Sequence, residues 1–316
     1  MNRPKPRILA RGVDKMTRQE WLEIRRKGIG GSDAAAICGV NPWRGPLGVY
    51  LSKIGAAPEG DMNEAMEWGI ELEDVIARKF SQRTGFAVKR CNMVLQHPEH
   101  DWMLANIDRY VRDNDEPAWG VLEVKNVGEY RAEDWADGAV PDYYNIQVQH
   151  YMEVLGADYA WLCPLIGGRK LQPVKVMRSE SMIRSLVKIE RDFWQLVETR
   201  TPPPIDDSPD ASKVLKALYP KSQATSVLID EGLYLRLKAA KGKVKDAEQE
   251  VRGLENEIKS LMGEAEAAMV PGNPKPVITW KGSTAHVLDV EAIKAAEPEL
   301  CMKYMKETSM RRFLPK

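Results

Sequence analysis

Met103-Leu104-Ala105-Asn106-Ile107-Asp108-Arg109-Tyr110-Val111, followed by Trp119-Gly120-Val121-Leu122-Glu123-Val124-Lys125-Asn126, decides how this chain folds. Both runs are apolar and rich enough in strand-forming residues to read as strands. The polar stretch Asp113-Asn114-Asp115-Glu116-Pro117 between them is a turn signal. A hairpin of this kind brings Asp108 beside the second strand. Side chains alternate along a strand, so Glu123 and Lys125 share a face with Val121, while Leu122 and Val124 point the other way, toward a core. Around the hairpin, residues 86–96 read as a preceding strand and 141–155 as a helix. Residues 157–165 and 170–177 read as two strands about Gly167-Gly168, and 179–200 as a further helix. That order predicts an α/β (α+β) fold with a mixed central sheet flanked by helices.

Two carboxylates and a backbone carbonyl, for which Val124 is the candidate, suit a hard divalent cation such as Mg2+, with Mn2+ as a substitute. A cation held by Asp108 and Glu123 activates water and neutralises phosphate charge. Lys125 then stands where it can orient that water or help deprotonate it. Taken alone, Glu and Lys two positions apart on a strand also describe an ordinary solvated face. Three other segments add weight. In Arg25-Arg26-Lys27-Gly28-Ile29-Gly30-Gly31-Ser32-Asp33 the glycines give a flexible approach and Ser32 reads as a helix N-cap. Backbone N–H groups and two arginines there form an anion site suited to a terminal DNA 5′-phosphate, or else a glycine turn with an ordinary cap. Whether Arg25 or Arg26 faces the phosphate is a one-residue question of register that the pattern leaves open. In Glu67-Trp68-Gly69-Ile70-Glu71-Leu72-Glu73, the apolar positions Trp68, Leu72, Val75, Ile76 and Phe80 make one helix face, leaving Glu73 a candidate ligand and Glu71 a solvent residue. In Gln147-Val148-Gln149-His150-Tyr151, Tyr151 reads as core with Ile146, Val154 and Leu155. Gln147 is left to face substrate or the water near Lys125, or solvent.

Taken in order, these motifs resemble the PD-(D/E)xK nuclease superfamily, in particular the branch of YqaJ-like and lambda-type viral exonucleases. The likeness covers about residues 15–205, and Asn106-Ile107 stand where that superfamily usually has its leading Pro-Asp pair. The resemblance implies a restriction-endonuclease-like core with Glu73, Asp108, Glu123 and Val124 holding metal. Asp108, Glu123, Lys125 and Gln147 would be the catalytic set, and Arg25, Arg26 and Ser32 the binders of a DNA 5′-phosphate. It further implies degradation of one strand of double-stranded DNA from its 5′ end, leaving 3′ tails for phage-type recombination. A homo-oligomeric, trimeric ring and a single-strand annealing protein as partner also follow from the likeness. Two alternatives remain. One is an endonuclease with the same metal core, and the other a non-catalytic DNA-binding or phage–host interaction protein, which has less reason to retain Asp108, Glu123 and Lys125 together.

Composition agrees with a soluble enzyme. The chain has 316 residues, enough for a large core plus an appendage at a prior of ~150 residues per domain. No apolar run is long enough to span a membrane and no apolar signal region follows Met1, so a bacterial or phage-infected host cytoplasm is expected. Cys38, Cys91, Cys163 and Cys301 are scattered without a C-x-x-C pair, which fits reduced thiols and argues against an iron–sulfur relative. Basic and acidic residues balance at 46 each, so any DNA site must be local. Basic groups gather at Arg18, Arg25, Arg26 and Lys27, and acidic groups at Asp61, Glu64, Glu67, Glu71, Glu73 and Asp74. His97 and His100 flank Pro98 in what reads as a surface loop rather than a metal pair. Tyr130, Arg131 and Trp135, in the long connection 126–142, are DNA-contact candidates.

Beyond a nuclease domain over residues 1–205, the proline-rich 201–209 stretch suggests a linker over 206–229. Residues 230–270 carry an apolar repeat of seven, read as a coiled-coil-like helix that packs on another helix. Residues 271–316 suggest a small ββαβ module, with strands at 277–280, 285–288 and 310–314, whose Arg311 and Arg312 are within reach of DNA or simply exposed.

Overall fold

The computed structural model describes residues 5–57, 63–306 and 311–315. Asp61 and Met310 lie outside them. The chain divides into two units, Met1–Tyr219 and Pro220–Lys316. In the first, the order is β1 (Arg7–Arg11), α1 (Arg18–Arg26), α2 (Gly31–Ile37), α3 (Pro46–Lys53), α4 (Glu64–Thr84), β2 (Ala87–Arg90), β3 (Met93–Gln96), β4 (Leu104–Ala105), β5 (Arg109–Arg112), β6 (Gly120–Val127), α5 (Asp142–Leu155), β7 (Tyr159–Ile166), β8 (Lys170–Leu171), β9 (Val174–Met177), α6 (Glu180–Glu198) and α7 (Pro209–Leu218).

The central sheet runs β2-β5-β6-β7-β8, with β9 also on β7. Only β6 and β7 are parallel, because α5 carries the chain back across the sheet between them. On one face α4 packs Ile76, Ala77 and Phe80 against Val111, Leu122 and Val124. On the other, Val148 and Met152 of α5 meet Val121, Ala160 and Leu162. Both faces of β6 are therefore covered, and the buried Phe80 and Met152 side chains each contribute about 1.5–3 kcal/mol. The mixed sheet flanked by helices is the fold the sequence implied.

Two expected strands are each broken in two. Residues 86–96 form β2 and β3 in different sheets, since β3 joins β1 and β4 in a separate three-stranded sheet. At the break Asn92 turns to Asp14, accepting from its N–H at 3.0 Å. Residues 103–111 likewise leave β4 in the small sheet and enter β5 in the large one, and Asp108 sits at that bend rather than within a strand. Of the apolar face expected on α4, Trp68 is exposed because the helix meets the sheet only from Leu72 onward, and Val75 is exposed because the packed face is Leu72, Ile76, Ala77 and Phe80.

The stretch read as a linker contains α7. Ser208 caps it, its Asp210 carboxylate accepts from the Gly45 N–H at 3.0 Å, and Ala211 and Val214 are buried with Leu47, Leu51 and Phe193. An amphipathic turn so short leaves little periodicity to read.

The second unit holds α8 (Glu231–Met262), β10 (Ala267–Ala268), β11 (Ile278–Thr279), α9 (Val290–Ala296) and α10 (Pro298–Tyr304). The long helix is present, N-capped by Asp230 and ended by Gly263 at φ +53°. The ββαβ plan differs. The strand at 278–279 pairs backward with 267–268 across a turn in which Gly272 takes φ +84°, and 285–288 forms no strand. Pro298 splits the expected helix, and residues 311–314 are not a strand. No helix among the described residues is long and apolar enough to cross a membrane.

Candidate active site

Strand β5 pairs with β6 only as far as Arg109 opposite Leu122. Past that point the β6 edge is free of a strand partner, and Asp108 supplies one: its Oδ2 accepts from the Val124 N–H at 2.8 Å. A residue's N–H and C=O leave a strand on the same side, so the Val124 carbonyl lies along this edge too. Glu123 points to the α5 face and is buried. Its Oε1 accepts from Lys125 Nζ at 2.6 Å and from Gln147 Nε2 at 2.6 Å, while its Oε2 is buried with no partner. Gln147 also donates to Tyr151 Oη at 3.3 Å, and Lys125 Nζ lies 4.9 Å from the Tyr144 ring centre. Thus Asp108, Glu123, Lys125 and Gln147 come together, and Gln147 is buried rather than a surface amide.

Burial and the neighbouring Glu123 charge push the Asp108 carboxyl well above its ordinary value. For Lys125, burial works downward, but Glu123 and Asp108 prevail and hold the ammonium above its ordinary value. These are the electrostatics of a site short of positive charge. Glu73 does not join Asp108 and Glu123 directly. The buried Arg109 guanidinium binds it, and also donates to the Asp108 carbonyl at 2.7 Å and to Asp74 at 3.0 Å. Among the described residues no three His, Cys, Asp or Glu side chains converge as a ready metal cage. The donors present still fit Mg2+, which takes one or two carboxylates and keeps several waters: Glu123 Oε2 is buried without a partner, and Asp108 lines the same cleft beside Val124. Sequence reasoning missed Arg109, whose only signal was a charged residue beside Asp108 in an apolar run.

Arg25 and Ser32 also meet: Arg25 Nη2 donates to Ser32 Oγ at 3.3 Å, while Arg26 is exposed and lies beside Gly55. Of the two arginines, Arg25 is the one that lines the cleft with Ser32. Ser32 is not the N-cap, since α2 begins at Gly31 and Asp33 takes the Gly30 N–H at 3.2 Å. Asp33 is the larger omission. Fully buried, it accepts from Arg25 at 3.1 Å, Arg44 at 2.9 Å and Lys53 at 2.6 Å. Burial alone would raise its carboxyl, but these three cations hold it well below the usual range, and burial pushes Lys53 down to about 8. The cluster fixes Arg25 from behind. Gly28 and Gly31 are required by close approach: a Cβ on Gly28 would stand 2.5 Å from the Trp102 carbonyl, and one on Gly31 2.7 Å from the Tyr151 ring. Arg25, Ser32, Asn106, Asp108 and Glu123 line one cleft of about 180 Å³.

Among the peripheral candidates, the structure overturns Trp135 and corrects the exposure expected of His97. Trp135 is fully buried in the main core and has no face for DNA. Tyr130 is exposed, and Arg131 stacks 5.5 Å from both the Trp43 and Tyr143 rings. His97 is buried under His100, and its Nδ1 accepts the N–H groups of Glu99 and His100, so that nitrogen is not available to a metal.

A mixed sheet with an Asp at the edge of a Glu-x-Lys strand is the arrangement that the resemblance to PD-(D/E)xK proteins implied. The model of the YqaJ-like viral recombinase domain matches residues 20–158. The chain is 34% identical over 321 residues to the uncharacterized protein YqaJ of Bacillus subtilis (strain 168), covering 99% of this chain and 98% of that one. It belongs to the YqaJ-like viral recombinase family. Among solved structures it is similar to the alkaline exonuclease LHK-Exo of Laribacter hongkongensis, at 18% identity and TM-score 0.48, over 58% of this chain and 94% of that one. The complex of LHK-Exo with dAMP gives 19%, TM-score 0.49 and the same coverage. A phage related exonuclease of Haemophilus somnus 129PT gives 14% and 0.39, over 55% and 96%.

Proposed function

We propose that this protein is a Mg2+-dependent exodeoxyribonuclease that degrades one strand of duplex DNA from a 5′-phosphorylated end, Mn2+ serving as substitute. The observation that carries this reading is the single cleft in which Arg25 and Ser32 stand with Asp108 and Glu123, the latter keeping one buried, unpartnered oxygen. Asp108, Glu123 and the Val124 carbonyl would hold the cation, and Glu73 would join them only by exchanging its Arg109 partner. When bound, the cation supplies a nucleophilic water and neutralises charge on the scissile phosphate. Lys125 would orient the attacking water through its ammonium and stabilise negative charge as the water–phosphorus bond forms, a backbone P–O bond breaks and the water's proton passes to solvent. Gln147 is a positioning residue that fixes Glu123 Oε1. Arg25 and Ser32 anchor the terminal phosphate, which gives the reaction its end dependence and its direction. The 3′ single strand left behind suits a single-strand annealing protein in phage-type recombination, in the cytoplasm of a bacterium or infected host, with a ring-shaped homo-oligomer enclosing the duplex.

The test compares linear 5′-phosphorylated duplex with covalently closed circular duplex, each in Mg2+ and in EDTA, for the wild type and Lys125→Ala. The expected result is Mg2+-dependent loss of the linear DNA alone, abolished by the substitution. Cutting of the circle would replace this reading with an endonuclease, and no metal-dependent cleavage of either would leave a binding protein.

A further inference from the structure

The second unit carries a long apolar stripe along α8. Leu237, Val244, Val251 and Ile258 repeat every seven residues, interleaved with Leu233, Ala240, Ala247, Leu254 and Leu261. On this 32-residue helix the seam from Leu233 to Leu261 is roughly 42 Å long at about 1.5 Å per residue. Leu233, Val244, Val251 and Leu254 are 51%, 57%, 54% and 55% exposed. Gly242 and Gly253 fall on outward positions of the repeat and leave the seam uninterrupted. The other helices of this unit, α9 and α10, have seven residues each and no buried side chain, so neither supplies a partner of matching length.

The charges that flank the seam are sorted along the helix. Arg236, Lys241 and Lys243 flank its first half, and Glu248, Glu250, Glu255 and Glu257 its second. Such positions set the partner and orientation of paired helices. In a parallel pair each flanking residue meets the one five positions on in the partner. Arg236 would then face Lys241 and Glu250 would face Glu255, with only Lys243 and Glu248 attracting. In an antiparallel pair with Leu237 opposite Leu254 and Val244 opposite Ala247, Arg236 faces Glu257, Lys241 faces Glu248 and Lys243 faces Glu250. Every charged pair attracts, and the small Ala240 and Ala247 let the helices approach closely.

We propose that α8 pairs antiparallel with α8 of a second copy of this chain, about a twofold axis between Lys245 and Asp246. Such an isologous contact repeats each ion pair on both sides of the axis. It does not depend on the nuclease reading, and Lys125→Ala is expected to associate like the wild type.

The test uses the full chain without DNA or metal. Lys241→Glu/Lys243→Glu and Glu248→Lys/Glu250→Lys are each expected to weaken self-association at least tenfold at low salt, and an equimolar mixture to restore it. Recovery on mixing excludes unfolding as the cause. Orientation is read by oxidation: Leu237→Cys cross-links with Leu254→Cys when the two are mixed, and not with itself beyond the wild-type background. A chain of 35.7 kDa that stays monomeric at every concentration, association indifferent to both charge variants, or a Leu237→Cys protein that cross-links to itself would overturn the proposal.

Discussion

Replacing Glu123 with Gln removes one charge with almost no change of volume, and the hydrogen bonds say how the amide will sit. Lys125 Nζ and Gln147 Nε2 both donate to Oε1 at 2.6 Å, so the amide oxygen keeps that place and the NH2 group takes the place of the unpartnered Oε2. The fold should survive, the relief of repulsion at Asp108 offsetting part of the Lys125 ion pair that is lost. What is lost is the oxygen offered to a cation. A ligand at a hundred times its dissociation constant stabilises the native state by about 2.7 kcal/mol. For a unit of this size that is on the order of 5–10 °C in Tm. Differential scanning calorimetry of the wild type with saturating Mg2+ or Mn2+, against EDTA, should show that rise, and Glu123→Gln should show almost none. An equal rise in both proteins, or no rise in the wild type, would refute the assignment of Glu123 as a ligand, and the readout needs neither DNA nor turnover.

Arg25→Gln should raise KM for 5′-phosphorylated duplex by about tenfold or more, as expected for a lost charge-assisted contact of 1.5–3 kcal/mol. Arg26→Gln, whose side chain lies away from the cleft, should change it less than twofold, and the reverse ranking in steady-state kinetics would move the phosphate to the other arginine. Glu153 gives a pH dependence. The His97 ring and Arg178 lower its carboxyl from the ordinary 4.5 to about 2, with the side chain 17% exposed. A depressed carboxylate contributes stability that is fully present above its unfolded value and lost as pH falls through the folded one, so the contribution disappears between about pH 4.5 and 2. The upper bound is about 3 kcal/mol. Urea titrations across that window should show a shallower acid loss in Glu153→Gln, and parallel curves would contradict the linkage.

What was legible in the sequence was what repeats or stands in a fixed order. The Glu123–Lys125 alternation, the apolar core positions of α4 and α5, and the heptads of α8 each follow from a period that needs no tertiary information. The breaks were not legible. Nothing in residues 103–111 marks that the chain changes sheets between Ala105 and Arg109, because strand propensity is the same on either side of the bend. Arg109, Asp33 and Lys53 escaped for a related reason: buried charges are justified only by partners distant in sequence, such as Lys53 for Asp33 at 2.6 Å. Trp135 was misread because an aromatic in a polar loop looks alike whether it faces DNA or the core, and here it is fully buried.

The place where the two sheets part is also where the chemistry gathers, and the backbone explains why. A strand edge that continues its pairing uses its N–H and C=O groups on its neighbour, and leaves nothing for a ligand. Here β5 stops pairing at Leu122, and the small sheet takes the preceding residues through Leu95 opposite Ala105. The gap exposes the Val124 edge of β6 between two rigid sheets, and Asp108 closes one of its donors while holding its own carboxylate in place. Ile29, whose backbone bonds to residues 102 and 104, ties the Arg25–Ser32 segment to the same β4 edge. An extended β5 that paired through Val124 would bury the Asp108 position in the ladder and close the cleft. A strand break that propensity does not register is what lets two carboxylates and an arginine face one volume, with the Lys125 ammonium held on Glu123.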